Sequence, residues 1–466
     1  MKLLSIFVLL TISTTTIYAK DVSSRYSVEA FFNHSEKYSY TDPYRKIKRK
    51  GQNLEKVVID SIRSAKKTIY LAVQELRLPL VALELIKKKQ EGVDVRIVME
   101  NSYNHTSEIP MGSLFMKSRH GDTDENEHDA ARYAELRALV DVNQDGVLSE
   151  DELLSRDSVY MLRASGLKVK DDTADGSYGS GLMHHKFMVI DSKELVISSA
   201  NFTLSGIHGD ILDRKTRGNA NSMLKIKSPS LAKTFTEEFM QMWGGKYGSK
   251  QPRFGPGKTY RGMSKTSVKN SKVYSQFSPT PRGLGFDASV NGTIAKFLKT
   301  AKKEVLIALF VFSDQEIVNA LNTKREKNND LDINVLIERK FATRNYSELL
   351  DMWGMQIRDD HCGFEYKNNP WKTPLKSAGV PNLSEGDMLH HKFAVIDEET
   401  VIVGSQNWSD SANHLNDENI LVIKDSHIAK LYAEEFHRLN KYAQLGPSSY
   451  LIRKMEVLEQ RCTSSY

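Results

Sequence analysis

The chain has 466 residues, of which 40% are hydrophobic and 27% are charged, and its formal net charge is +6. This length and composition exclude a wholly disordered chain and allow two or three domains with hydrophobic cores of their own. The weak positive charge favours polyanionic partners only mildly.

The N-terminus predicts export. Lys2 is followed by an apolar run from Leu3 to Ile12 and then by small polar residues that end at Ala19, the order found in a secretory signal peptide. The run is shorter than the ~20 residues that a membrane-spanning helix needs. We therefore expect residues 1–19 to be a signal peptide and the mature protein to be periplasmic or secreted, with an uncleaved membrane anchor as the alternative.

Two long regions of the chain repeat each other. Residues 64–73 (SAKKTIYLAV) match residues 300–309 (TAKKEVLIAL), and each reads as the end of a helix followed by a β-strand. A helical pattern and a second apolar strand follow in both regions, at 81–90 and 93–98 in the first and at 315–323 and 331–337 in the second. Helices that alternate with short strands predict a layered α/β fold. We expect two tandem α/β domains, at residues 20–246 and 273–466.

The first domain contains an insertion. His184 lies 119 residues after Ala65, whereas His390 in the second domain lies 89 residues after the matching Ala301, so the first domain holds about 30 extra residues. Helical patterns at 130–140 and 151–163 lie on either side of a twelve-residue acidic loop within this insertion, which spans about 120–165.

The acidic loop, residues 141–152 (DVNQDGVLSEDE), matches the EF-hand calcium loop at each of its defining positions. The expected oxygen ligands are Asp141, Asn143, Asp145, the Val147 carbonyl, Ser149 and Glu152, with Gly146 at the tight turn. We expect a structural or regulatory calcium site here. An acidic loop without a metal is the alternative.

A basic segment joins the two domains. Residues 247–272 combine Gly and Pro with seven basic side chains and no acidic one. This composition predicts an inter-domain linker in water, with contact to phosphates as the alternative.

One polar motif occurs once in each domain. It reads His-x-Lys-x4-Asp and is followed at a fixed offset by Ser-x-Asn. Its residues are His184, Lys186, Asp191, Ser199 and Asn201 in the first copy and His390, Lys392, Asp397, Ser405 and Asn407 in the second. Side chains two residues apart on a strand point to one face, so each copy can present an imidazole, an ammonium and an amide together. The aspartates fall at turns, where a carboxylate caps backbone N–H groups.

The two copies together predict one catalytic site. If the domains face each other, their histidines, lysines and asparagines form a cationic pocket suited to a phosphate diester and to the extra charge of its pentacovalent transition state. One histidine can attack phosphorus while the other protonates the leaving oxygen and then activates water, without a metal. The alternatives are a buried structural set, although burying lysine is costly, and a zinc site, although each lysine would repel the cation.

Both copies resemble the H-x-K-x4-D-x6-G-S-x-N signature of the phospholipase D superfamily, over most of the mature chain. The tandem arrangement resembles the bilobed secreted bacterial members, in which two α/β domains, each a mixed sheet flanked by helices, form one active site about a pseudo-two-fold axis. The resemblance implies a monomer and a covalent phosphohistidine. It also implies catalytic residues from both motifs, with Asp191 and Asp397 as supports, and phosphate binding by Lys186, Ser199, Asn201, Lys392, Ser405 and Asn407.

The two halves depart from the signature in different ways. Glu418 matches a carboxylate that often orients the motif histidine in this family, and we expect it to hold His390. The first half has Asn221 at the corresponding position, and Ser198 replaces the signature glycine that Gly404 supplies. The family's habit favours His184 as the nucleophile, and the carboxylate favours His390. We favour His184.

The motif does not choose the substrate, because the superfamily contains phospholipases and nucleases. Export, the fused form and a calcium motif favour hydrolysis of phospholipid head groups at a membrane surface. Basic stretches at 45–50 and in the linker favour a nuclease as the alternative, and a catalytically dead binding module is a third possibility. The tryptophans Trp353, Trp371 and Trp408 belong either to a membrane-facing surface or to the core. Cys362 and Cys462 form either a disulfide or two free thiols.

Overall fold

The structure is a computed structural model that describes residues 27–109, 123–245 and 250–463. The predicted signal peptide lies outside the described residues. The strands of the first domain are β1 (Val28–Phe32), β2 (Ser39–Thr41), β3 (Lys48–Lys50), β4 (Thr68–Val73), β5 (Asp94–Met99), β6 (Lys168–Asp171), β7 (Lys186–Ile190), β8 (Glu194–Ser198) and β9 (Ser222–Lys227). Its helices are α1 (Leu54–Ser64), α2 (Pro79–Gln90), α3 (Thr123–Val140), α4 (Glu150–Arg156), α5 (Ser158–Ala164), α6 (Leu204–Ile207) and α7 (Pro229–Trp243).

The second domain has its own set of elements. Its strands are β10 (Ser264–Val268), β11 (Ser271–Ser278), β12 (Glu304–Leu309), β13 (Asp332–Ile337), β14 (Ala378–Val380), β15 (Lys392–Ile396), β16 (Thr400–Gly404), β17 (Glu418–Lys424) and β18 (Gln444–Leu445). Its helices are α8 (Val290–Leu298), α9 (Gln315–Lys327), α10 (Arg339–Ala342), α11 (Glu348–Met352), α12 (Asp410–His414), α13 (Ser426–Asn440) and α14 (Ser449–Thr463).

The seven strands of the first large sheet have the same order as the strands from β11 to β14 in the second, which has β10 and β18 added at its edges. The first runs β1-β9-β8-β7-β4-β5-β6, and the second runs β10-β11-β17-β16-β15-β12-β13-β14-β18. The pairs β4–β5, β5–β6, β12–β13 and β13–β14 are parallel, and the other pairs in these two sheets are antiparallel. The predicted pair of α/β domains, each with a mixed sheet flanked by helices, is therefore confirmed.

The motif strand β7 is buried on both faces, and each face serves a different core. Phe187 and Val189 belong to a core shared with the second domain, whereas Met188 and Ile190 belong to a core of the first domain alone. The shared core also contains Phe393 from β15. Apolar burial stabilises by about 25 cal/mol per Å². Side chains from both motif strands are buried in this shared core, which therefore stabilises the position of the two strands across the domain boundary.

Both motif hairpins turn at the aspartates. Asp191 and Ser192 have positive φ angles of 51° and 53° in the three-residue turn between the paired Ile190 and Glu194. The Asp191 carboxylate accepts the N–H groups of Lys66, Lys67 and Thr68 at 2.7–2.8 Å. Asp397 binds the corresponding N–H groups of residues 302–304.

The five-residue strands β7 and β15 separate these aspartates from the motif lysines, by about 17 Å at the usual rise per residue. The aspartates therefore support the hairpins at a distance, which is the role expected for them.

Three expectations need correction. The predicted linker overlaps β10 and β11, because the alternating residues from Ser264 form a hairpin and β11 occupies the same position in its sheet as β1. The helix expected over 151–163 is divided at Asp157, whose carboxylate caps α5. The tryptophans Trp353, Trp371 and Trp408 are buried in the core of the second domain, so of the two alternatives for them the core is confirmed and the membrane-facing surface was wrong.

Cys362 and Cys462 form a disulfide with their Cα atoms 5.5 Å apart. It ties a loop of the second domain to α14. Within the described ranges, no helix is both long enough and apolar enough to cross a bilayer.

Candidate active site

His184 is held by two consecutive residues of the second domain. Its backbone N–H donates to the Asp417 carbonyl at 3.0 Å, and its Nδ1 lies 2.7 Å from Glu418 Oε2. A carboxylate accepts only from a protonated Nδ1, so in the neutral ring the proton is on Nδ1 and Nε2 carries the lone pair. The expectation that Glu418 holds His390 was therefore wrong. Glu418 is the first residue of β17, and its carboxylate binds the motif histidine of the first domain, His184, across the domain boundary.

His390 is held in the same way by the first domain. Its backbone N–H donates to the Ala220 carbonyl at 3.0 Å, and its Nδ1 lies 3.0 Å from Asn221 Oδ1. The Asn221 amide therefore takes the place that the Glu418 carboxylate has beside His184. The two histidines have equivalent backbone positions, but within the described part of the chain only His184 has a carboxyl group bonded to its ring.

The motif serines lie behind these partners. Ser199 Oγ donates to Asn221 Oδ1 at 2.7 Å, and the Ser405 hydroxyl bonds to Glu418 and accepts the Asn419 N–H. Both serines are buried, with 1% and 0% exposure. They hold the groups that orient the histidines, so the structure does not place them for the phosphate contacts that we expected.

Both motif lysines are buried in the pocket. Lys186 Nζ donates to the His184 carbonyl at 2.8 Å and to Gln74 Oε1 at 3.1 Å. Lys392 Nζ donates to the His390 carbonyl at 2.9 Å and lies 4.9 Å from the centre of the Phe310 ring. Burial lowers the pKa of Lys186 to about 7 and the pKa of Lys392 well below its usual value. Neither ammonium has an anionic partner within salt-bridge distance among the described residues.

The motif asparagines also have unused polar atoms. The Oδ1 atoms of Asn201 and Asn407 are buried and have no hydrogen-bond partner in the described part of the chain. Buried amides are normally fully bonded. Because an amide oxygen accepts hydrogen bonds, this pair of open acceptors at equivalent positions fits a ligand that donates to both domains.

Each histidine is affected by charges from both domains. Burial is the main cause that lowers the pKa of His184 well below its usual value, and the charges of Lys186 and Lys392 add to it. The same causes, in the same direction, act on the pKa of His390. Burial raises the pKa of Glu418 to about 7, against the charge of Lys186. These groups therefore lie close enough together for their charges to interact, and an anion bound among them would stabilise their protonated forms.

Sequence reasoning missed a second pair of acidic residues. The Glu100 carboxylate accepts the N–H of Met183 at 2.6 Å, and the Glu338 carboxylate accepts the N–H of Leu389 at 2.7 Å. Each fixes the residue before a motif histidine. The repeat contained the signal, because each glutamate directly follows a matching apolar strand.

The EF-hand-like loop lies between α3 and α4. The Oδ1 atom of Asp141 is buried without a hydrogen-bond partner among the described residues, and Gly146 has a φ of 79°. The Glu152 carboxylate instead accepts the N–H of Val142 at 2.9 Å and the N–H and hydroxyl of Ser149 at 3.0 and 2.8 Å. The donor types fit Ca²⁺.

A calcium site also depends on where the loop side chains lie. No group of three or more His, Cys, Asp or Glu side chains is placed to hold a metal ion in the part of the chain that the structure describes. Calcium would therefore have to draw Glu152 away from its backbone donors.

Comparison with known proteins identifies a family that matches more than half of the chain. The profile of the family described as "Cardiolipin synthase, PLD-like domain" matches residues 58–243 and 294–440. Human mitochondrial cardiolipin hydrolase is 26% identical over 172 residues, which are 36% of this chain and 58% of the human protein. Phospholipase D of Rickettsia bellii (strain RML369-C) is 24% identical over 181 residues, 39% of this chain and 74% of that protein.

The chain thus spans little more than half the length of the human relative. Among solved structures, phosphatidylserine synthase from Haemophilus influenzae Rd KW20 has a TM-score of 0.53 and 13% identity, covering 94% of this chain and 92% of that one. This likeness extends over both domains and concerns the fold alone.

Proposed function

The chain belongs to the phospholipase D-like family, and on that premise we propose that it is a phosphodiesterase that hydrolyses phospholipid head groups through a covalent phosphohistidine. The observation that carries this proposal is the crossed pairing of His184 with Glu418 and of His390 with Asn221. It supplies two imidazoles, each held at Nδ1 by the opposite domain, beside two buried lysines. A single chain holds the whole site, so we propose that a monomer is active.

We assign nucleophilic attack to His184. As its Nε2 bonds to phosphorus, the ring becomes cationic, and the Glu418 carboxylate 2.7 Å from Nδ1 stabilises that charge. The two lysines and the Nδ2 groups of the two motif asparagines donate to the non-bridging oxygens, whose negative charge grows in the transition state.

His390 is assigned the proton transfers. In its protonated form it donates from Nε2 to the leaving head-group oxygen while the P–O bond breaks. It then takes a proton from water, whose oxygen attacks phosphorus and displaces His184, giving phosphatidic acid. Its neutral partner Asn221 orients the ring without holding the cation strongly, which suits a group that must release a proton.

Two observations support a lipid over a nucleic acid. The relatives named above are called a cardiolipin hydrolase and a phospholipase D. In addition, the basic stretches that favoured a nuclease are partly unavailable, because Arg45, Arg49 and Lys258 are buried and face carboxylates. A nuclease remains the second candidate. We also propose that the protein is exported and that calcium at residues 141–152 stabilises the first domain or its contact with a membrane.

One substrate panel tests the proposal. Purified protein is given bis(p-nitrophenyl) phosphate, vesicles of phosphatidylcholine, phosphatidylethanolamine or cardiolipin, and single- or double-stranded DNA, with His184→Ala as the control. We expect head-group release and phosphatidic acid from vesicles, and transfer to ethanol when it is added. Efficient cleavage of DNA, with no product from any vesicle, would overturn the lipid assignment.

A further inference from the structure

The segment between the domains contributes a buried lysine. Lys258 Nζ contacts the carboxylate of Glu238 on α7, lies 2.7 Å from Asp417 Oδ1 and donates to the Ser278 carbonyl at 2.9 Å. Its side chain is only 4% exposed. Glu238 belongs to the first domain and Asp417 to the second, so this one ammonium joins both domains. A lysine buried in this way has a cost that its ion pairs must offset.

Asp417 connects this lysine to the proposed nucleophile. Its carbonyl accepts the N–H of His184, its own N–H donates to the Leu182 carbonyl at 2.8 Å, and the next residue, Glu418, binds the His184 ring. The Asp417 carboxylate accepts from the Lys258 ammonium, from the Gly255 N–H at 2.9 Å and from the Ser180 hydroxyl at 3.4 Å, and Lys258 is the charged donor among these three. The position of the Asp417–Glu418 backbone therefore depends on the Lys258 ion pair.

Glu238 connects Lys258 to the residue that follows His184. Its carboxylate lies 3.3 Å from Nε2 of His185, the residue after His184, and Arg261 Nη2 lies 2.6 Å from its other oxygen. The Asn419 amide lies 2.9 Å from Nδ1 of the same ring. Lys258 thus supports both His184 and its neighbour.

In the second domain, the corresponding glutamate is neutralised by a residue of its own helix and not by the linker. There His391 pairs with Glu435 at 2.9 Å, and Arg438, one turn later on the same helix, lies 2.7 Å from that carboxylate. The position one turn after Glu238 is Gln241, which is neutral. On the His390 side, the position of Asp417 is taken by Ala220, which has no charge to bind. The linker cation and its link to Asp417 are therefore particular to the His184 side.

We propose that Lys258 is a positioning residue that holds His184 and Glu418 in line for attack on phosphorus, which makes the inter-domain segment part of the catalytic arrangement. This inference rests on the proposed function. The role of Lys258 is indirect, because its ammonium contacts the carboxylates of Glu238 and Asp417 and not the groups proposed to bind phosphate.

The test compares Lys258→Met with wild type on bis(p-nitrophenyl) phosphate. We expect kcat to fall by about 10- to 100-fold while KM changes by less than about threefold, since the loss concerns orientation and not phosphate binding. Phosphohistidine trapped at residue 184 in alkali should fall in parallel, and the His184 ring signals in a histidine-labelled NMR spectrum should shift. Lys258→Arg should restore most of kcat.

Two controls separate positioning from general stability, and a double variant is held in reserve for the test variant. Lys250→Met removes an exposed linker lysine and should leave kcat unchanged. Arg438→Gln removes the equivalent cation behind His391 and should lower the melting temperature with a smaller loss of kcat. If Lys258→Met fails to fold, Lys258→Met/Asp417→Asn, which leaves one fewer unpaired charge, is measured in its place with the same expectation.

Either of two results overturns the inference: kcat and the His184 signals unchanged in the lysine variant, or an equal loss of kcat in Arg438→Gln. A wild-type protein that is inactive on every phosphodiester would instead refute the proposed function itself.

Discussion

Replacing Glu418 with Gln tests the crossed arrangement most directly. The amide keeps an acceptor for His184 Nδ1 but removes the negative charge that lies 2.7 Å from that atom. Removing one member of a buried charged pair costs about 3–5 kcal/mol. Because the amide still accepts a hydrogen bond, we take the lower end, about 3 kcal/mol, which corresponds to about a 150-fold slower formation of phosphohistidine.

The matched variant is Asn221→Ala on the other histidine. It removes a neutral hydrogen bond of 3.0 Å to His390, worth about 1 kcal/mol, or about fivefold. Both variants are followed by rapid mixing with bis(p-nitrophenyl) phosphate, with the p-nitrophenolate burst recorded and samples quenched in alkali for mass spectrometry. A Glu418→Gln burst within threefold of wild type, or phosphate found on residue 390, would refute our assignment of the two histidines.

Four further results are expected. His390→Ala should abolish turnover but retain a burst of about one p-nitrophenolate per enzyme, because this leaving group needs no acid; steady turnover near the wild-type rate would contradict the division of roles. Tungstate binding at pH 7 should take up protons, because Lys186 has a pKa of about 7 in the free site and an anion raises it; equal calorimetric enthalpies in buffers of different ionisation enthalpy would count against this. Burial raises the pKa of Glu100 to about 8, so the folded state binds the extra proton between about pH 4.5 and pH 8 and loses stability as the pH rises through that window. Glu100→Gln should therefore gain stability over wild type between pH 5 and pH 8, by at most about 5 kcal/mol, and a constant difference in urea unfolding would refute it. Calcium should raise the melting temperature of wild type but not of Glu152→Gln, and hydrolysis of a soluble diester should survive chelation; loss of that hydrolysis would place calcium in the mechanism.

The repeat in the sequence predicted much of the fold because strand and helix periods are local properties. Matching segments at 64–73 and 300–309 became β4 and β12, at the same place in each sheet. The hairpin geometry followed too, because the turn aspartates adopt positive φ angles and cap neighbouring backbone groups. These features depend on residues within one domain.

The contacts of the site across the domain boundary could not be predicted in this way. Glu418 and His390 are separated by 28 positions in one domain, so pairing within that domain was the natural expectation. The actual partner, His184, is 234 positions away, and their contact depends on how the domains pack. The burial of Lys258 could not be predicted for the same reason, because the two carboxylates that it contacts come from different domains.

The crossed contacts also explain what a single chain permits that a pair of identical chains does not. In a symmetric homodimer with this geometry, one sequence position would orient both histidines, so both would receive a glutamate or both an asparagine. Joining two domains in one chain gives each histidine a partner encoded separately, Glu418 for one and Asn221 for the other. The covalent connection thus breaks the symmetry of the site, and each imidazole can be tuned for a different half of the reaction.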